Sequence, residues 1–361
     1  MNRQKRVLLI GPFPEPTTGV SLANEVVKSI LDKQEQYIVQ HINTSYTRFD
    51  EKVGSFTFHK LLFNLLFYTK CWRVFKCDIL YITPGQSFWG VLKYAGFIVL
   101  GTLSRKQIIT HIHGNHLGNE YEVLSGIKKR LFYFLVSKTT KGIVLSESLK
   151  GNLSPFIAKE AIEVLPNFAQ DYLVDDSIVK SFDKLRIIYL SNLMEEKGIF
   201  DLLKALRLLE ENNIPYEAQI AGAIDYSQKE EIEKQIDRLE NTTYMGVVKA
   251  KAKKELLHWG NIFVLPTYYK MEGQPISILE AMATGNVILT TRHAGIPDIV
   301  REGEHGKFFA KKAPQELYES LLFYNTQKEE ISKISDSNKM CFKENFTREQ
   351  FKERLLNIFD I

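Results

Sequence analysis

The sequence predicts an α/β chain with two parallel-sheet domains, each covered by helices, and three observations carry that reading. Its 361 residues exceed what one ordinary core fills, so two cores of roughly 150 to 200 residues are the natural division. Two stretches, VLLIG near the start and LRIIYLS near the middle, are apolar on both faces, the mark of a strand buried inside a parallel sheet. After each of them, short apolar runs alternate with helical segments at the rhythm of βα units.

Taken in order, the first series predicts strands near residues 6 to 11, 37 to 42, 78 to 82, 107 to 112, 142 to 145 and 162 to 165. The second predicts them near 185 to 191, 216 to 221, 243 to 245, 262 to 265, 286 to 290 and 307 to 309. The first domain spans 1–168 and the second 185–345, with the polar, acidic stretch 169–184 as the linker. The remaining 346–361 reads as a helix packing back toward the first domain.

Composition narrows the function classes. Lys and Arg outnumber Asp and Glu by 22 to 15 through Lys180, and the balance reverses to 25 against 28 beyond it. A basic first half suits nucleic acid, an anionic membrane or an acidic small substrate. No interleaved aromatic and basic RNA motif or recognition-helix signature is present, which sets nucleic acid aside. Cys71, Cys77 and Cys341 have no paired metal-ligand spacing and are odd in number, so buried thiols in a reducing compartment are expected. No apolar run reaches the roughly 18 residues of a membrane span, and the opening MNRQKRVLLIGPFPEP breaks too soon for a signal peptide. A cytoplasmic protein is expected.

Parallel sheets bind ligands at the carboxyl ends of their strands, so the residues just after strands matter most. GPFPEPTTGVS follows the first strand. It is neither G-x-G-x-x-G nor a P-loop, and Gly19 reads as a helix start or an anion-facing turn. IITHIH ends at His113-Gly114; alternation puts His111 and His113 on one side, but no carboxylate or cysteine stands at ligand spacing, so no metal is expected there. His113 reads instead as a ligand contact. In NLMEEKGIFDLLKAL, Lys197 sits at a helix start, where a cation opposes the macrodipole unless an anion sits there too. EGQPISILEAMATG places Glu280 inside an almost wholly apolar helix beginning near Pro275, with Glu272 in the loop before it. A carboxylate so buried needs donors.

The E-x7-E block EGQPISILEAMATG, the following AGIPDIVREGEHG, the strand-ending SNLMEEKG, the early PFPEPTTG loop (P-x-P-x-x-x-x-G), HIHG and YMGVV together resemble retaining glycosyltransferases of family 4, over nearly the whole chain. The resemblance implies the GT-B fold, two Rossmann-like domains facing each other across a crevice. It implies a nucleotide-sugar donor, UDP-linked, bound by the second domain, and a saccharide or lipid-linked acceptor held by the first. Glu280 matches the family's ribose-binding glutamate, Glu272 the glutamate near the transferred sugar, Lys197 the diphosphate-binding lysine and His113 the histidine at the sugar. Gly19, Val247, Gly273 and the N–H groups of Gln274 and Ile276 complete the donor set. Asn192 stands where the family usually has arginine, which leaves Arg292 as a candidate for the second phosphate contact. The implied reaction retains anomeric configuration and, with no D-x-D in the sequence, uses no metal cofactor. A GT-B phosphorylase, a nucleotide-sugar epimerase and a non-catalytic sugar-binding protein are the rival readings.

Two basic, apolar segments, 58–76 and 126–141, read as helices whose apolar stripes are edged by Lys and Arg, with Lys128, Lys129 and Arg130 facing an anionic membrane.

Overall fold

The computed structural model describes residues 3–15, 18–45 and 67–359. Two compact units are formed, one by Met1–Pro166 with Lys352–Ile361 and the other by Asn167–Phe351.

In the first unit, strands β1 (Lys5–Gly11), β2 (Tyr37–Asn43), β3 (Ile79–Ile82), β4 (Gln107–Ile112), β5 (Lys141–Val144) and β6 (Ile162–Val164) form a parallel sheet in the order β2-β1-β3-β4-β5-β6. Helices α1 (Gly19–Leu31), α2 (Phe88–Leu92), α3 (Ala95–Leu103), α4 (Leu117–Val123) and α5 (Gly126–Val136) lie between them. Val7 to Ile10 and Ile79 to Ile82 are buried throughout, as strands covered on both faces must be. α1 starts on a capping box: the Thr18 hydroxyl accepts from the Ser21 N–H at 3.1 Å and the Ser21 hydroxyl accepts from the Thr18 N–H at 2.7 Å.

The second unit repeats the plan with β7 (Leu185–Leu190), β8 (Tyr216–Ala221), β9 (Thr242–Gly246), β10 (Ile262–Leu265), β11 (Val287–Thr291) and β12 (Gly306–Phe309), ordered β12-β11-β10-β7-β8-β9 and all parallel. Its helices are α6 (Ile199–Glu211), α7 (Lys229–Ile236), α8 (Ala250–Trp259), α9 (Ile276–Ala283), α10 (Pro314–Thr326) and α11 (Lys328–Asn345), followed by α12 (Arg348–Phe359), whose residues from Lys352 onward belong to the first unit. There the Phe359 carbonyl accepts from the Tyr37 hydroxyl at 3.1 Å and the Ile358 carbonyl from Lys141 Nζ at 2.9 Å. A lysine at a helix carboxyl terminus also complements its dipole.

In each sheet the chain reverses its direction of travel beside its first strand, between β1 and β3 and between β7 and β10. These are the topological switch points where α/β sheets open a crevice.

Two sequence expectations need correction. Residues 169–184 are part of the second unit, not a free linker: Lys180 is buried there and donates to the Leu257 and Gly260 carbonyls and to Asn286 Oδ1. Burial pushes its ammonium well below the ordinary lysine range. The segment 58–76 is a 3-10 helix over Thr69–Lys76, with 58–66 outside the described residues. The helix start expected near Pro275 is found there: Pro275 is the N-cap of α9, at φ −63° and ψ 118°, and Ile276 is the first helical residue.

Candidate active site

The loops after β7 and β10 meet at the second unit's switch point. Tyr268 N donates to the Glu196 carbonyl at 2.8 Å, and the buried Tyr189 hydroxyl bonds the Asn192 and Lys197 carbonyls at 3.0 and 3.3 Å. A short turn, Glu195–Lys197, runs into Gly198, whose φ of +77° starts α6. A side chain there would strike Pro266, with a Cβ 2.4 Å from its carbonyl oxygen, so glycine is what lets the two loops close on each other.

Lys197 Nζ lies 2.6 Å from Glu272 Oε2, which also accepts from Thr267 Oγ1 at 3.1 Å. Both side chains are largely buried. The ammonium sits 5.1 Å from the centre of the Tyr269 ring, over its face. The anion that a lysine at a helix start requires is thus the Glu272 carboxylate.

Glu280 is the fifth residue of α9 and 5 % exposed. Sequence reasoning assigned its donors to ligand hydroxyls alone, and the structure corrects this: Lys253 of α8 reaches Oε1 at 2.5 Å. Burial raises the Glu280 carboxyl above its ordinary range, and the Lys253 charge opposes that rise. Between the two glutamates, Gly273 is buried and its carbonyl accepts from Gly295 N at 2.9 Å. Gln274 is clamped, its Oε1 accepting from Asn167 N at 2.6 Å and its carbonyl from Asn167 Nδ2 at 2.8 Å. The loop is fixed at its base, and the N–H groups of the first α9 turn, Ile276 among them, are those a helix cannot bond internally.

Residues 175–340 match the family model for glycosyl transferases, group 1. That stretch makes up most of the second unit, which is similar to group 1 glycosyl transferases. The whole chain has the GT-B fold: it superposes on Alr3699/HepE of Anabaena, solved in complex with UDP, with a TM-score of 0.75 at 14% identity, over 98% of this chain and 99% of that one. In sequence it is similar to WcaL of Escherichia coli K12, a glycosyltransferase provisionally assigned to colanic acid biosynthesis, at 27% identity over 146 residues, 39% of this chain and 36% of that protein. The match thus spans about a third of the length of WcaL. MJ1069 of Methanocaldococcus jannaschii, an uncharacterized glycosyltransferase, is 22% identical over 353 residues, 91% of this chain and 88% of its own.

In the second unit the other predicted residues make no side-chain hydrogen bond or ion pair with Glu272 or Glu280 among the described residues: Asn192 offers its carbonyl to the same Tyr189 hydroxyl that bonds the Lys197 carbonyl. Asn192 and Val247 are exposed. Arg292 is ion-paired with Glu302 at 2.8 Å and lies over the Phe308 ring at 4.2 Å. In the first unit Gly19 is the exposed first residue of α1. His113 follows β4, its ring 3.9 Å from that of His111, on the same side as the strand alternation predicts. The Tyr81 hydroxyl is 2.6 Å from His111 Nδ1. His113 Nε2 is buried with no partner among the described residues, and burial pushes its imidazolium down to about 4, so the ring is neutral at physiological pH. No cluster of three or more His, Cys, Asp or Glu able to hold a metal is found among the described residues.

Sequence reasoning missed Lys253 and Thr267. Lys253 sits in AKAKKELLHW, where it looks like one more solvated lysine, and only the packing of α8 beside α9 singles it out.

Proposed function

We propose that the protein is a retaining, metal-independent glycosyltransferase of family 4. It moves a hexose or N-acetylhexosamine from a UDP-linked sugar to a saccharide acceptor. The acceptor is a lipid-linked, lipopolysaccharide, capsule or O-antigen precursor at the cytoplasmic face of a bacterial membrane. The observation that carries the reading is the pair of buried carboxylates, each held by one lysine, on either side of the α9 N-terminus at a switch point. A nucleotide sugar spans such a gap with its diphosphate at the helix start. HepE, of the same fold, is solved with UDP-glucose, which supports a donor of that class.

In this reading Glu280 Oε2, which the Lys253 bond leaves untaken, accepts from the ribose diol, and Val247 borders the base. Lys197 and the Gln274 and Ile276 N–H groups meet the charge that grows on the departing phosphate, and Glu272 lies toward the transferred sugar. In the first unit, Gly19 and the neutral His113 keep the roles that the family resemblance implies. The acceptor hydroxyl attacks the anomeric carbon on the face from which the nucleoside diphosphate leaves. The test is a mass-spectrometric screen of nucleotide sugars with saccharide acceptors, followed by proton NMR of the product. Turnover that survives EDTA and a product with the donor's anomeric configuration are expected; an inverted product, or activity abolished by EDTA, refutes the mechanism.

The membrane contact rests on the first unit's surface. Trp72, Trp89 and Ile127 are 52%, 68% and 84% exposed, and Phe75 and Phe134 are exposed as well. Lys76 lies over the Trp72 ring, Lys128 over Phe88 and Trp89, and Lys129 over Tyr121. Aromatic rings interleaved with ammonium groups suit an anionic bilayer surface. Among the described residues no helix is long and apolar enough to cross a membrane. Co-sedimentation with anionic vesicles should fall at high salt, the charges being screened over about 8 Å at physiological ionic strength. It should fall again when Lys128, Lys129 and Arg130 become Gln. Equal binding to neutral vesicles refutes the contact.

A further inference from the structure

The turn that carries Glu272 is held from a second direction by the segment after β11. The Tyr269 carbonyl lies 2.8 Å from His293 Nε2, and the Gly273 carbonyl accepts from Gly295 N at 2.9 Å. Ala294, between the two anchors, takes a φ of +49°, a left-handed conformation that an alanine adopts only when its neighbours fix it. A carbonyl only accepts, so His293 Nε2 carries the proton and Nδ1 a lone pair. That lone pair accepts from Lys311 Nζ at 2.9 Å. Lys311 comes from the loop after β12, so one neutral imidazole joins the ends of three strands.

The charge pattern gives this chain of contacts a purpose. Lys197 is answered by Glu272 at 2.6 Å, Arg292 by Glu302 at 2.8 Å and Lys312 by Glu195 at 3.6 Å. The ammonium of Lys311 is oriented by a neutral ring, and its charge remains available. The groups facing His293 are Lys311 and the Tyr269 carbonyl, with Lys197 and Glu272 near enough for their charges to act on it. A nucleoside diphosphate brings more than one negative charge to a place where Lys197 is already neutralised.

We propose that His293 is a positioning residue for the donor end and that the Lys311 ammonium it orients is a second cation for the terminal phosphate of a bound nucleoside diphosphate. The inference rests on the nucleotide-sugar reading above and adds two residues to it. His293 holds the Glu272 turn through the Tyr269 carbonyl and fixes Lys311 through its other nitrogen, so the carboxylate and the second cation are set by one ring.

Calorimetry with UDP and UMP on the full chain tests it, because the two ligands differ by the terminal phosphate. Lys311→Met should lower UDP affinity roughly tenfold, the effect of losing one charge-assisted contact, and leave UMP affinity unchanged. His293→Leu should do the same. His293→Gln, whose amide can donate to the Tyr269 carbonyl and offer an oxygen to Lys311, should keep the preference for UDP. Lys270→Met, which removes an exposed ammonium from the Glu272 turn itself, should also keep it. A preference for UDP that survives Lys311→Met, a loss shared equally by UMP, or the same loss from Lys270→Met overturns this inference alone. A wild-type chain that binds no UDP overturns the donor reading and this inference with it.

Discussion

Replacing Lys197 by alanine should lower kcat by roughly 10² to 10³, the cost of losing one preorganised charge at a leaving group, while the Kd for a UDP-sugar changes by less than about tenfold. The asymmetry follows from where the charge appears. In the ground state Lys197 is already shared with Glu272 at 2.6 Å, so the diphosphate competes for it. As the glycosidic bond breaks, the phosphate gains charge and takes the larger share, and only that difference accelerates the reaction. Single-turnover kinetics with calorimetry separates the two. A rise in KM with kcat unchanged would show a ground-state contact and sink the leaving-group role. Because the alanine variant leaves Glu272 buried with Thr267 as its donor, the Lys197→Ala/Glu272→Gln pair is the control for folding: it should recover stability and leave turnover low.

Lys253→Met should destabilise the second unit by about 3 kcal/mol at pH 8, the low end for breaking a buried ion pair, since Lys253 keeps 22% side-chain exposure. The pH dependence has a definite sign. Burial raises the Glu280 carboxyl above its ordinary 4.5, so the folded state holds that proton more tightly than the unfolded chain. The stabilisation this gives is complete below the unfolded value and is lost as pH rises through the folded one. Removing Lys253 takes away the charge that opposes the rise, so the deficit of the variant should be small near pH 4.5 and grow toward pH 8. Denaturant titrations at both ends measure it, and a deficit equal at the two pH values would show that the lysine's contribution is packing alone. Adding Glu280→Gln should restore much of the stability and still weaken UDP binding about tenfold or more, because the ribose loses its charged acceptor.

Legibility in the sequence followed burial. The twelve strands lie within about a residue of where the sequence predicts them: interior strands covered on both faces must be apolar throughout, so VLLIG or IFVL has no other reading in a βα series, while the partly exposed edge strands β2 and β9 follow from their place in that series. Glu280 was legible for the opposite reason, a charge inside the apolar run ISILEAMA. Its partner was not, because Lys253 lies 27 residues away in a helix with several lysines, and no pattern says which of them turns inward. Lys180 failed on composition: a stretch rich in aspartate reads as linker until its lysine is seen capping three buried acceptors. His293 carries no periodic signal at all, since its role is set by two hydrogen bonds to loops from other strands.

The docking of α12 bears on the order in which the molecule assembles. Tyr37 and the Phe359 carbonyl it bonds are 322 residues apart, and the Phe359 ring also meets Tyr81, with centroids 6.0 Å apart. On a ribosome the first unit is made early, yet its last packing partners emerge only after all of the second. The second unit closes on residues that are contiguous in the chain, so it can reach its native contacts while the first still waits with an open seam beside Tyr37 and Tyr81. Non-local closure of this kind is slow, because the entropy of the intervening chain must be overcome before any contact rewards it. The unit translated first is therefore the one finished last, and the exposed seam is where a nascent chain of this protein is most open to mispairing.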